Sequence, residues 1–552
     1  MFLVSCVALA IGACSDRSKG ATSPTTSPAD SSPSGGETST PTTMAPTSTA
    51  VAGTTTTSST TTTTTPITPP PIELAADPFT LGVASGDPDS TSVVLWTRLA
   101  PEPLNGGGMP GDEVTVVWEL SDSNDFATIL ASGTSVAVPA DGHSVHVTVE
   151  PPPPIASGFS YRFKVGSYVS PVGRTSVAAG GPVDRATFVS ASCQNYEDGY
   201  YTAHADIAAQ QPDFVVWLGD YIYEGAGGPT VEAGKVRTHN SAEPTDLAGY
   251  RNRYALYKLD ENLQAAHAAC PWFVIWDDHE AQNNYAGLLP ENPADAPTFA
   301  SRRQQAYKAW WEHQPVRLDP PPAEGEYRIY RREQWGDLIG MTLLDTRQYR
   351  SDQACGDVTL SLDPPCPETF ADDRTLMGAE QEQWFFDNVG RGGTTWNVIG
   401  QQVVMADIML NGAVLNYDQW DGYPKDRQRI LQHLVDAKVS NSIVLSGDIH
   451  LAGVAVLRLG EPGTGTPVAI EFIDTSISSG ARVPPNVEGL ASAFPDIVDF
   501  ELAHRGYTLH TVTPQRWTAD YRIVDNALVE GSTVSTYKTF AVDSGVTAVA
   551  VA

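Results

Sequence analysis

Basic side chains are scarce: 33 Lys and Arg stand against 65 Asp and Glu, a formal charge of −32 at neutral pH. So acidic a chain is poorly suited to nucleic acid, whose phosphates are held by Lys and Arg. A metal-dependent nuclease is disfavoured for the same want of a basic groove. Long apolar runs are missing too. No stretch of the 552 residues reaches the roughly eighteen that would span a bilayer, which excludes a polytopic membrane protein. Cysteine is rare, six in all. What is present suffices to fold: hydrophobic residues make up 41% of the chain, enough for about two to four domains. The acid excess lies in the folded part, because residues 1–75 hold only Asp16, Asp30, Glu37 and Glu73 against Arg17 and Lys19. If such a body handles an anionic substrate, positive charge must come from outside its own side chains. That points to metals.

The first segment, residues 1–14, is almost wholly apolar and ends Ile11-Gly12-Ala13-Cys14. Small residues before a cysteine resemble a bacterial lipoprotein signal, with Cys14 lipidated after cleavage. A soluble secretory leader is the alternative, although no Lys or Arg precedes the apolar stretch as a secretory n-region requires. Residues 15–76 are rich in Ser, Thr and Pro, with an unbroken Ser/Thr block from Thr54 to Thr65. This composition buries too little apolar surface to offset chain entropy and is expected to form a disordered stalk. Cys355 and Cys366 lie close together in a Pro-containing loop, and a disulfide between them fits an exported protein. Cys270 reads as a buried small hydrophobe.

Two folded regions are expected beyond the stalk. Over residues 77–181 short segments of period two alternate with Gly, Pro and Asp turns, among them Ser92–Leu99, Val114–Trp118, Ser144–Val149 and Tyr161–Val165. They predict an all-β sandwich of the fibronectin or immunoglobulin kind. Over residues 182–526 apolar strands alternate with amphipathic helices, which predicts an α/β domain with buried sheets. Residues 527–552 are left as a tail that either caps the site or trails from it.

Four predicted strands end alike, in an apolar run followed by a group able to hold a metal. The first ends Ser192-Cys193-Gln194, the second Gly219-Asp220-Tyr221-Ile222-Tyr223-Glu224. The third ends Asp277-Asp278-His279-Glu280 and the last Gly447-Asp448-Ile449-His450. In α/β sheets the loops at the carboxyl ends of strands form the ligand crevice. Acids and a histidine directed into one crevice repel one another unless cations are bound there. Carboxylates suit hard cations such as Ca²⁺, Mg²⁺ or Mn²⁺, whereas a thiolate and a phenolate suit Fe³⁺. The site therefore reads as binuclear and asymmetric.

These motifs resemble the calcineurin-like metallophosphoesterases, especially the purple acid phosphatases, and more closely the PhoD-type alkaline phosphatase/phospholipase D family. Further motifs that carry the resemblance are Phe79 to Pro88, Leu344-Asp345-Thr346-Arg347-Gln348-Tyr349-Arg350, Trp420-Asp421-Gly422-Tyr423 and His504-Arg505-Gly506-Tyr507. The resemblance implies a sandwich of two mixed sheets flanked by helices. It implies that Asp220 bridges two metals, that Cys193, Tyr223 and His450 complete an Fe³⁺ site, and that Asp278 and Asp448 hold a second metal. Ca²⁺ is expected as that second metal, with Mg²⁺ or Mn²⁺ as alternatives, and Asp277 is a further candidate ligand. Gln401 or Gln402 stands where the superfamily commonly supplies a histidine and would serve as an oxygen ligand. Trp420-Asp421 belongs either to an additional Ca²⁺ site or to an exposed acidic loop.

By the same resemblance His279 faces the phosphate, stabilising charge on phosphorus or protonating the leaving oxygen. Arg347 either clamps phosphate or pairs with Asp345 or Asp352. The expected activity is in-line hydrolysis of extracellular phosphomonoesters or diesters by metal-activated hydroxide. One rival is a diesterase acting on phospholipid or teichoic-acid-like polymers; another is a non-catalytic surface binding lipoprotein. The expected partners are small phosphate esters, with no regulatory nucleic acid and contact with a membrane only through a lipid anchor.

Overall fold

The computed structural model describes residues 67–152, 155, 158–357, 362–481 and 490–552. Cys14 and most of the expected stalk lie outside these residues. The chain opens with β1 (Val83–Gly86), β2 (Val93–Arg98), β3 (Val114–Ser121) and β4 (Ala131–Ala137). β5 (Ser144–Val149), β6 (Phe159–Val165), β7 (Tyr168–Val169) and β8 (Gly173–Thr175) follow. The alternating part begins with β9 (Ala186–Ala191), α1 (Thr202–Gln210), β10 (Phe214–Trp217), α2 (Leu247–Lys258), α3 (Glu261–Ala269) and β11 (Pro271–Val274). It continues through α4 (Ala296–His313), β12 (Arg331–Trp335), β13 (Ile339–Leu343), α5 (Gly378–Asn388), β14 (Trp396–Gly400), α6 (Pro424–Asp436) and β15 (Ser442–Ser446). The chain closes with β16 (Ala452–Leu459), β17 (Thr466–Ile473), β18 (Ile497–Glu501), β19 (Arg505–Val512), β20 (Arg516–Val524), β21 (Val534–Asp543) and β22 (Ala550–Val551). Among the described residues no helix is long and apolar enough to cross a membrane.

Two mixed sheets make up the α/β body, as expected. The larger has ten strands in the order β22-β21-β20-β19-β9-β10-β11-β1-β2-β5, and the second has seven in the order β12-β13-β14-β15-β17-β16-β18. β9, β10 and β11 run parallel in the first, β13, β14 and β15 in the second. These central strands are buried on both faces and read as continuous apolar runs, Phe214–Trp217 and Ser442–Ser446 among them. One hydrophobic cluster passes through both sheets, joining Phe188, Val215 and Trp272 to Met341, Val398 and Leu445. A second covers the outer face of the seven-stranded sheet, where Phe385 of α5 and Ile430, Leu431 and Leu434 of α6 pack on Ile399 and Val444.

The β domain is present, but one of its layers is borrowed. Only β3, β4, β6, β7 and β8 form the separate five-stranded sheet. The facing layer, β1, β2 and β5, is the edge of the ten-stranded sheet, with β1 parallel to β11. Val83, Leu95 and Val147 from that edge share one core with Val116, Trp118 and Phe163. The C-terminal residues neither cap nor trail: β21 pairs with β20 through nine residue pairs, and β22 adds to β21. α2 and α3 carry no aliphatic stripe. α2 buries Tyr250, Tyr254, Tyr257, Arg253 and Lys258, and α3 starts at Asp260, whose carboxylate accepts from the amides of Asn262 and Leu263.

Candidate metal centre

Four loops at the carboxyl ends of β9, β10, β11 and β15 meet at one place. Backbone hydrogen bonds pin the first two together, Cys193 N to Gly219 O and Gln194 N to Asp220 O, each 3.1 Å. Two glycines allow the close approach. A Cβ on Gly219, whose φ is +119°, would lie 2.5 Å from Cβ of Asp277, and one on Gly447 would lie 2.3 Å from Oγ of Ser192. Cys193, Asp220, Asp448 and His450 all hold left-handed backbone, with φ of 60°, 57°, 68° and 58°. For non-glycine residues this conformation costs about 1–2 kcal/mol each and persists only where the surroundings enforce it. Four such residues supplying one cluster mark a site built at the expense of backbone strain.

The side chains fall into three overlapping groups. Ligand atoms of Cys193, Asp220 and His450 lie within 4.8 Å of one another, as do those of Asp220, Asp278 and His279, and those of Asp277, Asp278 and Asp448. Asp220 belongs to two groups, the position of a bridge. The Tyr223 hydroxyl donates to Asp220 Oδ2 at 2.8 Å and lies 2.9 Å from His450 Nε2. Three buried atoms, Asp220 Oδ1, Asp278 Oδ1 and His279 Nε2, have no hydrogen-bond partner among the described residues, although Arg347 Nη2 lies 3.4 Å from the second. A buried carboxylate oxygen left this way is costly in protein alone. The donor set, one thiol, one phenol, two imidazoles and several carboxylates, supplies what a softer and a harder cation require. The residues fit two metals.

The electrostatics agree. Burial, followed by repulsion from Asp278, Glu280 and Asp448, pushes the Asp220 carboxyl well above its ordinary range against the pull of His279. Burial and the charges of Asp220 and Asp448 raise the Cys193 thiol. Asp448 is pushed up to about 7 by burial and Asp418. Burial lowers His450 to about 3, which keeps it neutral. Burial would lower His279 as well, but Glu224, Asp278 and Asp220 hold it well above its usual value. The raised carboxyls of Asp220 and Asp448 owe most to burial, and the neighbouring acids add to it.

Several expected residues sit elsewhere in the network. Arg347 is wholly buried and fully engaged: Nε pairs with Asp277, Nη1 lies 2.8 Å from Asp418 Oδ1, and Nη2 lies 3.4 and 3.5 Å from Asp278 and Asp448. Its guanidinium holds the acid cluster together and is not presented as a phosphate clamp; only its backbone amide reaches Asp345. Gln402 is no ligand. Its Oε1 accepts from Thr346 N and Oγ1, and its Nε2 donates to the carbonyls of Trp276 and Leu344, tying three strand ends together. Gln401 is likewise spent on Val403 and Trp420. Asp421 is buried, not exposed, and pairs with Arg427 at 2.6 Å while accepting from Ile408 N. It belongs to none of the ligand groups.

Four acids and amides that the sequence did not assign complete the centre. Asp418, three residues before Asp421, receives Arg347, Arg350 and Gln353 on one oxygen. Those arginines hold its carboxyl well below the usual range against burial. Glu224 receives His279 Nδ1 at 2.7 Å and Asn283 N at 2.7 Å. Glu280 accepts from the amides of Tyr221, Asp220 and Asp277, clasping two metal loops. Gln419 donates to Asp448 Oδ2 at 2.6 Å. Glu224 and Glu280 end motifs that were visible in the sequence, so their place was legible although their role was not. Cys355 and Cys366 form the expected disulfide. The long loop after Glu224 is tied back by Arg237, which reaches the carbonyls of Tyr196 and Gly199 and pairs with Asp260. Cys14, the expected lipidation site, lies outside the described residues.

The model of the PhoD-like phosphatase family matches residues 188–521, and that of the family's N-terminal domain matches residues 62–179. The chain belongs to the PhoD-like phosphatase family. This PhoD-like phosphatase is 45% identical over 473 residues to alkaline phosphatase D of Bacillus subtilis (strain 168), covering 84% of this chain and 80% of that protein. The solved structure of PhoD superposes with a TM-score of 0.81 at 42% identity, over 87% of this chain and 93% of the other. The chain is a PhoD-type phosphoesterase of a metal-dependent family, and its three side-chain groups could hold metal ions.

Proposed function

We propose that the enzyme is an exported phosphoric ester hydrolase that releases phosphate from extracellular monoesters or diesters, using Fe³⁺ beside Ca²⁺. The observation that carries this reading is the pair of ligand groups sharing Asp220 at the strand ends. Cys193, Tyr223 and His450 with Asp220 would hold Fe³⁺. Asp220, Asp278 and Asp448 would hold Ca²⁺, with Mg²⁺ or Mn²⁺ as the other hard cations this oxygen set accepts; Asp277 is next to them but already bound to Arg347. When bound, such cations neutralise phosphoryl oxygens and lower the pKa of water enough to supply a nucleophile near neutral pH.

The chain's own residues do the rest. Glu224 takes the Nδ1 hydrogen of His279 and fixes the ring, leaving Nε2 without a protein partner and positioned to protonate the leaving oxygen. Arg347 holds Asp277, Asp278 and Asp448 in one orientation, and Glu280 fixes the loops of Asp220 and Asp277. The disulfide supports an oxidising compartment. A lipid anchor at Cys14 remains part of the proposal.

The test is hydrolysis of nitrophenyl phosphate mono- and diesters by the metal-loaded protein at mildly alkaline pH. Turnover of either supports the reading, and their ratio defines the ester class. A visible absorption band that disappears in Tyr223→Phe supports the phenolate–Fe³⁺ assignment. No turnover of either ester with metals bound contradicts the reading and favours a binding protein.

A further inference from the structure

Arg347, which the sequence offered either as a phosphate clamp or as a partner of Asp345 or Asp352, is consumed by four other carboxylates. With metals bound, the thiolate of Cys193, the phenolate of Tyr223 and the carboxylates of Asp220, Asp278 and Asp448 balance one trivalent and one divalent cation. Asp277 and Asp418 are balanced by Arg347 and Arg350. The centre as a whole then offers a phosphate dianion little net attraction, and the surrounding protein is strongly acidic. A further cation at the wall of the site is needed. Lys235 is held by Asp198, His279 by Glu224, and Arg253 by the carbonyls of Tyr223, Gly225 and Ala242.

Arg505 is different. It opens β19 beside the His450 loop and is 8% exposed. One nitrogen, Nη1, donates to His450 O at 2.8 Å and to His504 O at 3.2 Å. This anchors the guanidinium against the backbone of a metal-ligand residue. Nε and Nη2 have no hydrogen-bond partner among the described residues, and neither is a sealed, unsatisfied atom. Glu501 first, then Asp198, Cys193 and Tyr223 are near enough for their charges to act on the guanidinium, but none of them is hydrogen-bonded to it among the described residues. A rigidly held guanidinium with one edge unused, at the rim of a metal cluster, has the donor geometry that pairs bidentately with phosphoryl oxygens.

We propose that Arg505 is the substrate-binding arginine of this phosphoesterase, anchored through Nη1 to His450 and donating from Nε and Nη2 to two oxygens of the phosphoryl group. The proposal rests on the PhoD-type reading of the site. It predicts that inorganic phosphate, the product, uses the same contact.

The experiment is calorimetric titration of the metal-loaded full chain with inorganic phosphate, alongside KM and kcat for a phosphate monoester and elemental analysis of each sample. Arg505→Gln is expected to keep both metals and to raise the phosphate Kd and the ester KM together by about 10- to 100-fold, the loss of charge-assisted hydrogen bonds. Arg505→Lys, which keeps the charge but loses the fork, is expected to fall between Gln and the parent. Unchanged phosphate affinity in variants that retain their metals overturns the proposal. So does loss of metal from both variants, which would place the work of Arg505 in holding His450. A parent protein that neither binds phosphate nor hydrolyses esters is a different failure, that of the PhoD-type reading itself.

Discussion

Asp220 carries the account at the scale of single residues. It is the one carboxylate common to the Cys193–His450 group and the Asp278–His279 group, and one of its oxygens is buried without a hydrogen-bond partner among the described residues. Asp220→Asn should lose both metals and more than about 100-fold in turnover, since even residues that merely orient metal ligands are worth 10- to 100-fold. Elemental analysis checks this; a variant retaining both metals contradicts the bridge. A second residue gives a pH signature away from the ligands. Glu471 is fully buried, accepts from Met405 N, Ala406 N and Ser446 Oγ, and is pushed by burial to about 7. A glutamate in the unfolded chain titrates near 4.5. Between those values the folded state keeps a proton that the unfolded state has lost. The resulting stability is therefore complete below pH 4.5 and declines as pH rises through 7. Glu471→Gln should flatten that decline by up to about 3 kcal/mol, read by urea denaturation at pH 5 and 7.5; an unchanged slope contradicts it. The candidate ligands stood out in the sequence because their chemistry is unusual at strand ends. Asp418 was not, since an acid in a loop acquires meaning only when Arg347 and Arg350 are seen to converge on it.

At the scale of elements, the strands that deliver the candidate ligands coincide with apolar runs, and β5 begins and ends where the period-two segment Ser144–Val149 does. α2 shows no apolar stripe in the sequence because its buried face is made mostly of tyrosines and charged side chains. It matters for the site nonetheless: the Tyr257 hydroxyl accepts from the amides of Tyr196 and Tyr223, joining two site loops. The disulfide acts at this scale also. Cys355 and Cys366 pack with Ala354, Val414 and Tyr417, neighbours of Gln353 and Asp418. Replacing both cysteines by Ala opens a link across 11 residues and should destabilise the protein by about 3 kcal/mol on the loop-entropy model. Thermal unfolding of the double variant measures this; an unshifted midpoint contradicts it.

For the whole molecule, the sequence indicated a β domain followed by an α/β domain, and both are present. It did not show that β1, β2 and β5 complete the catalytic sheet, because strand pairing between distant segments leaves no local periodicity. A chain beginning at Pro182 would expose the β11 edge together with Ala255 and Leu259, which pack against Ala84 and Trp96. It should fail to give a cooperative unfolding transition, whereas a chain beginning at Asp77 should unfold in one; independent folding of the shorter chain contradicts the shared sheet. The whole-molecule charge gives the most direct test. A chain of −32 with carboxylate oxygens at its centre that lack a hydrogen bond among the described residues needs cations to handle phosphate esters. The decisive measurement is monoester hydrolysis before chelation, after exhaustive chelation, and after metal is restored, with metal content determined at each stage. The account predicts activity that vanishes on chelation and returns with about two metals per chain; full activity in metal-free protein would contradict it.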